Sequence, residues 1–329
     1  MIISQTPLRI SISGGGTDLK EYYLKHEGFV LSTAIDKYVF VIVKERFDNL
    51  IYVNYMKKEI TDSFDKIEHE LVREAAKMAG LKHGVEITML ADIPSEGSGL
   101  GSSSSLTVGL LNAFYNYMGV QVTAEQLATE ACKIEIDILK KPIGKQDQYI
   151  AAYGGLRSFK FKKDDTVEVQ KPIVQNGLYR KLGSNLLLYF TDITRKSATV
   201  LTEQKRKVKI NLDHHHKIKD LAFEAVKAIE KGEIDKIGVL LAENWELKKK
   251  LASNISNPEI DKMYGRAIAA GAVGGKISGA GGGGFLLNYC KRDKQDILRQ
   301  AMSDYREMPF MLEPYGSKII FDYRRYNWK

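Results

Sequence analysis

Pro94-Ser95-Glu96-Gly97-Ser98-Gly99-Leu100-Gly101-Ser102-Ser103-Ser104-Ser105 joins a strand-like run, Val85–Ile93, to a buried-type helical run, Ser104–Met118. An anion-binding loop belongs at such a junction. Glycines let the backbone fold closely around a phosphate, and the unpaired amides and dipole of the following helix then face the negative charge. The serines add hydroxyl donors and an oxygen ligand for a hard cation such as magnesium. No Gly-Lys-Ser/Thr follows the glycines, so this is not a P-loop of the familiar kind. Nor is it a dinucleotide fingerprint, because Ser104 stands where a third glycine is required. A surface linker would not run four consecutive serines straight into an apolar helix.

Two further glycine clusters lie far from this one. Lys276-Ile277-Ser278-Gly279-Ala280-Gly281-Gly282-Gly283-Gly284 precedes the strand-like Phe285–Tyr289, and holds five glycines within six residues. So much lost backbone entropy implies a close approach, either by a ligand or by the first loop. At the amino end a strand, Ile2–Ser13, carries Arg9 and Ser11 and runs into Gly14-Gly15-Gly16, followed by Thr17 and Asp18. Three such clusters can converge on one cleft between lobes.

Between the clusters the pattern mixes strands and helices without βαβ regularity, which predicts an α+β protein. A short helix is expected over Leu19–Lys25, and two or three antiparallel strands over Val30–Val53. Lys66–Ala79 is helical by period, with Gly80 as C-cap. Thr123 and Gln126 form a capping box opening a helix through Leu139, and Gln146–Ala152 makes a short helix. Texture changes near residue 180, where a boundary divides an N-terminal lobe, 1–180, from a C-terminal lobe, 181–329. The second lobe begins with a strand over Leu186–Thr191 and a long charged helical region, Ser197–Leu251. Strands at Lys276–Ser278 and Phe285–Tyr289 follow, and Ile319–Tyr323 is a final strand.

Composition narrows the function. Of 329 residues, 44% are hydrophobic and 27% charged, which suits neither disorder nor a fibrous class. Two cysteines, Cys132 and Cys290, cannot make a disulfide scaffold and fit a reduced compartment. No apolar run approaches a membrane span, and the amino end does not resemble a secretory signal, so a cytoplasmic protein without membrane partners is expected. The net charge of +8 suits anionic small molecules. Residues 195–250 hold 14 basic and 9 acidic side chains. No aromatic-interleaved stripe or reading motif accompanies them, so nucleic acid is not expected.

Taken together, the three clusters resemble the three motifs of the GHMP small-molecule kinases. Pro7–Asp18 is similar to motif one, Pro94–Ser105 to motif two and Lys276–Gly284 to motif three. The resemblance implies a two-lobed fold with its active-site cleft between the lobes, and ATP and Mg2+ as requirements. Within the superfamily, Arg9-Ile10-Ser11-Ile12-Ser13-Gly14-Gly15-Gly16-Thr17-Asp18-Leu19 most resembles kinases of D-glycero-D-manno-heptose 7-phosphate or L-fucose. Chain length and Glu313-Pro314-Tyr315-Gly316 favour the heptose phosphate kinases. The implied reaction is transfer of the γ-phosphoryl group to the anomeric C1 hydroxyl, giving heptose 1,7-bisphosphate for nucleotide-activated heptose. An L-fucose or other hexose 1-kinase is the alternative, and a non-catalytic nucleotide or sugar sensor a further one.

The same resemblance distributes roles. Pro94, Gly97, Gly99, Leu100, Gly101, Ser102, Ser103 and Ser104 would bind ATP. Asp147, in Ile143-Gly144-Lys145-Gln146-Asp147-Gln148, reads by itself as a helix N-cap or as a carboxylate able to take a hydroxyl proton. The resemblance implies the second, with Arg9 offsetting charge on the transferred phosphate. On helix composition alone Glu130, Glu135 and Asp137 are equivalent; the family spacing selects Glu135, with Ser103, as magnesium ligand. Gly15, Gly16, Thr17, Asp18, Gly281 and Gly282 would contact the sugar. Arg157, Arg180, Arg195 and Lys196 are candidates for a distal phosphate by charge only. His214-His215-His216 cannot converge on one metal from adjacent helical positions and reads as a solvated face. Cys132 reads as core rather than nucleophile.

Overall fold

A computed structural model describes residues 1–93, 97–175, 177–194 and 197–323. In chain order its elements are β1 (Ile2–Ser13), α1 (Lys20–His26), β2 (Gly28–Glu45), β3 (Ile51–Asn54), β4 (Lys58–Thr61), α2 (Glu70–Ala79) and β5 (Val85–Ala91). Then come α3 (Ser102–Tyr117), α4 (Ala124–Cys132), α5 (Gln146–Tyr153), β6 (Leu156–Phe161), β7 (Val167–Gln170), α6 (Leu178–Ser184) and β8 (Leu186–Phe190). The remainder is α7 (Ser197–Lys207), α8 (Leu212–Glu230), α9 (Lys236–Lys248), α10 (Pro258–Ala269), β9 (Ala272–Ile277), β10 (Phe285–Cys290), α11 (Gln295–Ala301) and β11 (Lys318–Asp322).

The class is α+β. An eight-stranded sheet runs β11-β1-β2-β5-β3-β4, with β6 on β2 and β7 on β6. Its central strands lose their alternation: β1 is buried at every position from Thr6 onward. The cause is cover on both faces. On one face Val30, Val41, Val43 and Ile87 pack against Leu71, Leu111, Phe114 and Ile150 of the helices. On the other, Leu8, Ile10, Leu31 and Ile35 meet Leu188 and Leu287 of a three-stranded antiparallel sheet, β8-β10-β9, together with Leu221 and Ile237 of α8 and α9.

Two details differ from expectation. The run from Val30 to Val53 is one 18-residue strand, β2, plus β3, and β3 lies parallel to β5 rather than antiparallel to β2. Alternation marks a strand but carries no information about its neighbour. β2 is long because it changes partner, pairing β6 through Gly28–Thr33 and β5 through Val39–Glu45. The division at residue 180 is also crossed by the chain: β11 pairs with β1, so the last strand completes the first sheet.

Local signals act as their chemistry requires. Gly80 ends α2 with φ 71°, and Asn257 accepts from the Ile260 amide with Pro258 in the first turn of α10. Thr123 caps α4 by accepting from Gln126 N–H, but the Gln126 amide group turns to Glu130, so only half of the box forms. The charged region after residue 196 is three helices. His215 is fully buried on α8, stacked on Tyr22, with Nδ1 hydrogen-bonded to Asn211 O at 2.9 Å; His216 Nδ1 meets Tyr22 OH at 2.7 Å. The histidine run is therefore a packed seam against α1 rather than a solvated face. No group of three or more metal-ligating side chains occurs among the described residues, and no helix there is long and apolar enough to cross a membrane.

Candidate active site

Arg9 ties the cleft together. It projects from β1, and its backbone N–H donates to Leu100 O at 3.0 Å. Its guanidinium forks onto Asp147, Nε to Oδ1 at 2.7 Å and Nη2 to Oδ2 at 2.6 Å, while Nη1 donates to Gly99 O at 2.6 Å. Bidentate geometry of this kind fixes orientation as well as charge. Asp147 lies in the first turn of α5 but does not cap it, since the N-cap is Lys145. Its carboxylate is 23% exposed against 5% for Arg9, so the accessible side of the pair is the acid.

The loop before α3 takes left-handed conformations at Gly97, Gly99 and Gly101, with φ of 74°, 72° and 78°. Gly101 is the N-cap, leaving the first-turn amides of α3 without intrahelical acceptors. A Cβ on Gly99 would stand 2.5 Å from Ser278 O, and one on Gly279 2.6 Å from Gly99 Cα. The glycine-rich turn between β9 and β10 is thus pressed against the first loop, which answers what approaches that backbone.

Asp18 is buried and accepts from Gly16 N–H at 3.0 Å and Gln146 N–H at 3.1 Å. Burial, and then the nearby Asp147 charge, push its carboxyl above the usual range. Glu135 sits on a π-helical turn, Lys133–Ile138, that continues α4. It is fully buried; Oε1 accepts from Ser103 Oγ at 2.6 Å and Oε2 from Gln148 Nε2 at 2.7 Å. Burial pushes this carboxyl up, while Lys141 and the hydrogen bonds oppose the shift. Lys141 Nζ stands 3.3 Å from Ser103 Oγ and 3.8 Å from Glu135 Oε1. Asp137 instead pairs with Lys20 at 3.7 Å, and Glu130 accepts from Tyr115 and Gln126.

Of the residues singled out above, Arg9, Gly15, Gly16, Asp18, Gly97, Gly99, Gly101, Ser102, Ser103, Ser104, Glu135 and Asp147 line one cleft. Others do not. Thr17 Oγ1 donates to Gly14 O at 2.7 Å and Phe29 O at 3.1 Å, which makes it scaffold. Leu100 is fully buried in the core between the two sheets. Gly281 and Gly282 pack on Ile255, with Gly282 N–H donating to Ile255 O at 2.8 Å; Gly279 and Ala280 line the cleft in their place. Pro94, Arg195 and Lys196 lie outside the described residues. Arg157, which donates to Gly154 O, and Arg180 are not among the cleft residues. Cys132 is buried, and burial raises its thiol.

The cleft also contains groups that sequence reasoning missed: Lys141, Gln146, Gln204, Asn244, Lys248 and Lys276. Lys276 stands at the head of a glycine cluster, which was a usable signal. Lys248 opens a run of three lysines with nothing to separate it from its neighbours. It is buried and donates to Ile277 O at 2.8 Å and Gly279 O at 2.6 Å, and burial next to Arg9 lowers its ammonium to about 7. Beside the cleft, sharing Ser102 and Ser103 with it, runs a groove lined by Val39, Tyr55, Met56, Leu71, Met89, Leu90 and Leu106.

Residues 66–155 match the GHMP kinases N terminal domain, and residues 225–307 the GHMP kinases C terminal domain. The chain is 32% identical over 318 residues to the D-glycero-alpha-D-manno-heptose 7-phosphate kinase of Campylobacter jejuni, covering 92% of this chain and 93% of that one. It is 28% identical over 347 residues to the L-fucokinase/L-fucose-1-P guanylyltransferase of Bacteroides fragilis, covering 91% of this chain but 35% of that one. Its structure resembles that of a D-glycero-D-manno-heptose 1-phosphate kinase from Bacteroides thetaiotaomicron. The TM-score is 0.83 at 27% identity, covering 98% and 100% of the two chains.

Proposed function

The chain belongs to the GHMP kinases, and from that premise we propose that it transfers the γ-phosphoryl group of ATP to the C1 hydroxyl of D-glycero-D-manno-heptose 7-phosphate. Membership implies an ATP-dependent phosphotransferase. The observation that supports the chemistry is the Arg9–Asp147 fork beside the α3 N-terminus. The acceptor is supported by similarity to the heptose kinase over nearly the full length of both chains. L-fucose is the second reading, supported by the 28% identity to a fucokinase.

In this reading the sugar C1 oxygen bonds to the γ-phosphorus as the bond to the ADP oxygen breaks, and the hydroxyl proton passes to Asp147. Arg9 holds that carboxylate in place and offsets charge gathering on the phosphoryl oxygens. Asp18 and Gln146 accept and donate hydrogen bonds to sugar hydroxyls. The first-turn amides of α3 meet the ATP phosphates, and the neighbouring apolar groove takes the nucleoside.

Magnesium fits the oxygen pair Ser103–Glu135. Glu135 is buried and its carboxyl pushed up, which a nearby cation opposes, and Lys141 stands within 4 Å of both oxygens, at 3.3 and 3.8 Å. Ser103 and Glu135 would hold the ion, with phosphate oxygens and water as its other ligands. When bound, the ion would neutralise phosphate charge. Glu135→Gln is expected to raise the magnesium needed for half-maximal activity about 10- to 100-fold, with a smaller change in sugar KM. Magnesium titrations that overlay those of the parent would remove Glu135 as a ligand.

The reaction is tested by incubating the protein with Mg-ATP and D-glycero-D-manno-heptose 7-phosphate and following products by phosphorus NMR. A new anomeric phosphate with ADP formed in equal amount is expected. No turnover of this sugar, with turnover of L-fucose, would transfer the assignment to the second reading.

A further inference from the structure

Among the described residues four cations line the cleft: Arg9, Lys141, Lys248 and Lys276. Three have partners. Arg9 is paired with Asp147, Lys141 with Glu70 at 3.1 Å, and Lys248 with two backbone carbonyls. Lys276, on β9, is 3% exposed and among the described residues has neither a carboxylate nor a hydrogen-bond acceptor. The charges that bear on it are those of Lys248 and Arg9, both of its own sign. A second orphan faces the same space: Ser11, 6% exposed on β1, has its Oγ buried without a hydrogen-bond partner.

An unpaired ammonium buried beside two other cations destabilises a fold, and a hydrophobic side chain of the same length would serve packing better. The arrangement has a physical rationale once an anion arrives. We propose that Lys276 is a phosphate-binding residue of the cleft, its ammonium donating to a phosphoryl oxygen of a bound reactant. Lys is suited to this as a compact point charge. Burial and the two neighbouring cations push its ammonium down from the ordinary lysine range. An entering dianion opposes that shift by favouring the charged form, and any proton the Lys276 amine gains comes from solvent. Asp147, across Arg9, is committed to the guanidinium and does not offset this.

The inference rests on the phosphotransferase reading, and two phosphate sources share the required chemistry: the ATP tail and the acceptor's own phosphate. Calorimetric titration at pH 8, in buffers of different ionisation enthalpy, separates them. One arm uses Mg-AMP-PNP and the other D-glycero-D-manno-heptose 7-phosphate, on the parent and on Lys276→Met. Proton uptake on binding in one arm, lost in the variant, supports the proposal and names the source. Should the heptose phosphate fail to bind the parent, the acceptor reading fails while the nucleotide arm still decides the role of Lys276. The variant is expected to lose about 10- to 10²-fold in kcat/KM for the reactant concerned. At the same time, the ligand-free Tm should rise by about 2–8 °C. A lysine that serves packing alone would give the reverse: a lower Tm, parent kinetics and no proton uptake in either arm, and that result overturns the proposal.

Discussion

Asp147→Asn lowers kcat by about 10² to 10⁴-fold while leaving the affinity for Mg-ATP within a few-fold. The substitution preserves size, so the consequences are electrical. The carboxylate accepts from two guanidinium nitrogens of Arg9, at 2.7 and 2.6 Å. An amide can satisfy one of them, but its NH2 then faces the other donor or the acceptor hydroxyl. The proton acceptor disappears, and Arg9 is freed to turn toward Gly99 or the phosphate. Neither change touches the α3 amides or the apolar groove, which is why nucleotide affinity should hold. Stopped-flow or coupled assays for kcat, with nucleotide binding measured separately, check both halves. A folded variant with near-parent kcat would take Asp147 out of the mechanism.

A second large effect concerns the acceptor. D-glycero-D-manno-heptose 7-phosphate should exceed the same heptose without its phosphate by roughly 10² to 10⁴ in kcat/KM. Two charge-assisted hydrogen bonds to a dianion, each worth about 1.5–3 kcal/mol, reach that range. The cleft is able to supply them because its cations outnumber what its carboxylates pair: Asp147 takes Arg9, and Lys248 and Lys276 have no carboxylate at all among the described residues. Side-by-side turnover of the two sugars and of L-fucose decides it. Equal turnover of the neutral heptose would sink the sugar-phosphate assignment and leave the kinase intact.

Much of this site was legible because its chemistry is local. A loop of Gly97, Gly99 and Gly101 feeding a serine-rich helix start has few uses besides holding an anion, and each of those glycines adopts the left-handed conformation that explains it. Other features were not legible because they depend on partners distant in sequence. Nothing in Ile51–Asn54 reports that it will lie parallel to β5, and nothing in three successive lysines singles out Lys248. Thr17 looked like a sugar contact because it stands beside Asp18, yet its hydroxyl is spent on Gly14 and Phe29. Gly281 and Gly282 enter as sugar contacts through the resemblance of the third cluster, whereas the backbone they accommodate is that of Ile255. His215 was misjudged for the converse reason. Three polar residues in a row read as surface, and only Tyr22, nearly two hundred residues earlier, shows that one of them is interior.

The pressed glycine turn restricts how the enzyme can breathe. The Gly99–Gly279 contact, the Lys248 bonds to Ile277 and Gly279, and the Arg9 bonds to Gly99 and Leu100 gather within one seam joining the two sheets. Prising the sheets apart like a clam would have to break all of them together, and would scatter the groups that line the cleft. On α7, which contributes Ser197, Leu201 and Gln204 to the cleft, the bonds run elsewhere: Glu203 accepts from Ser253 N–H and Oγ, and Lys205 pairs with Glu21 at 3.0 Å. The seam is in that sense a rivet, holding the spacing of the two sheets at the point where the glycines meet.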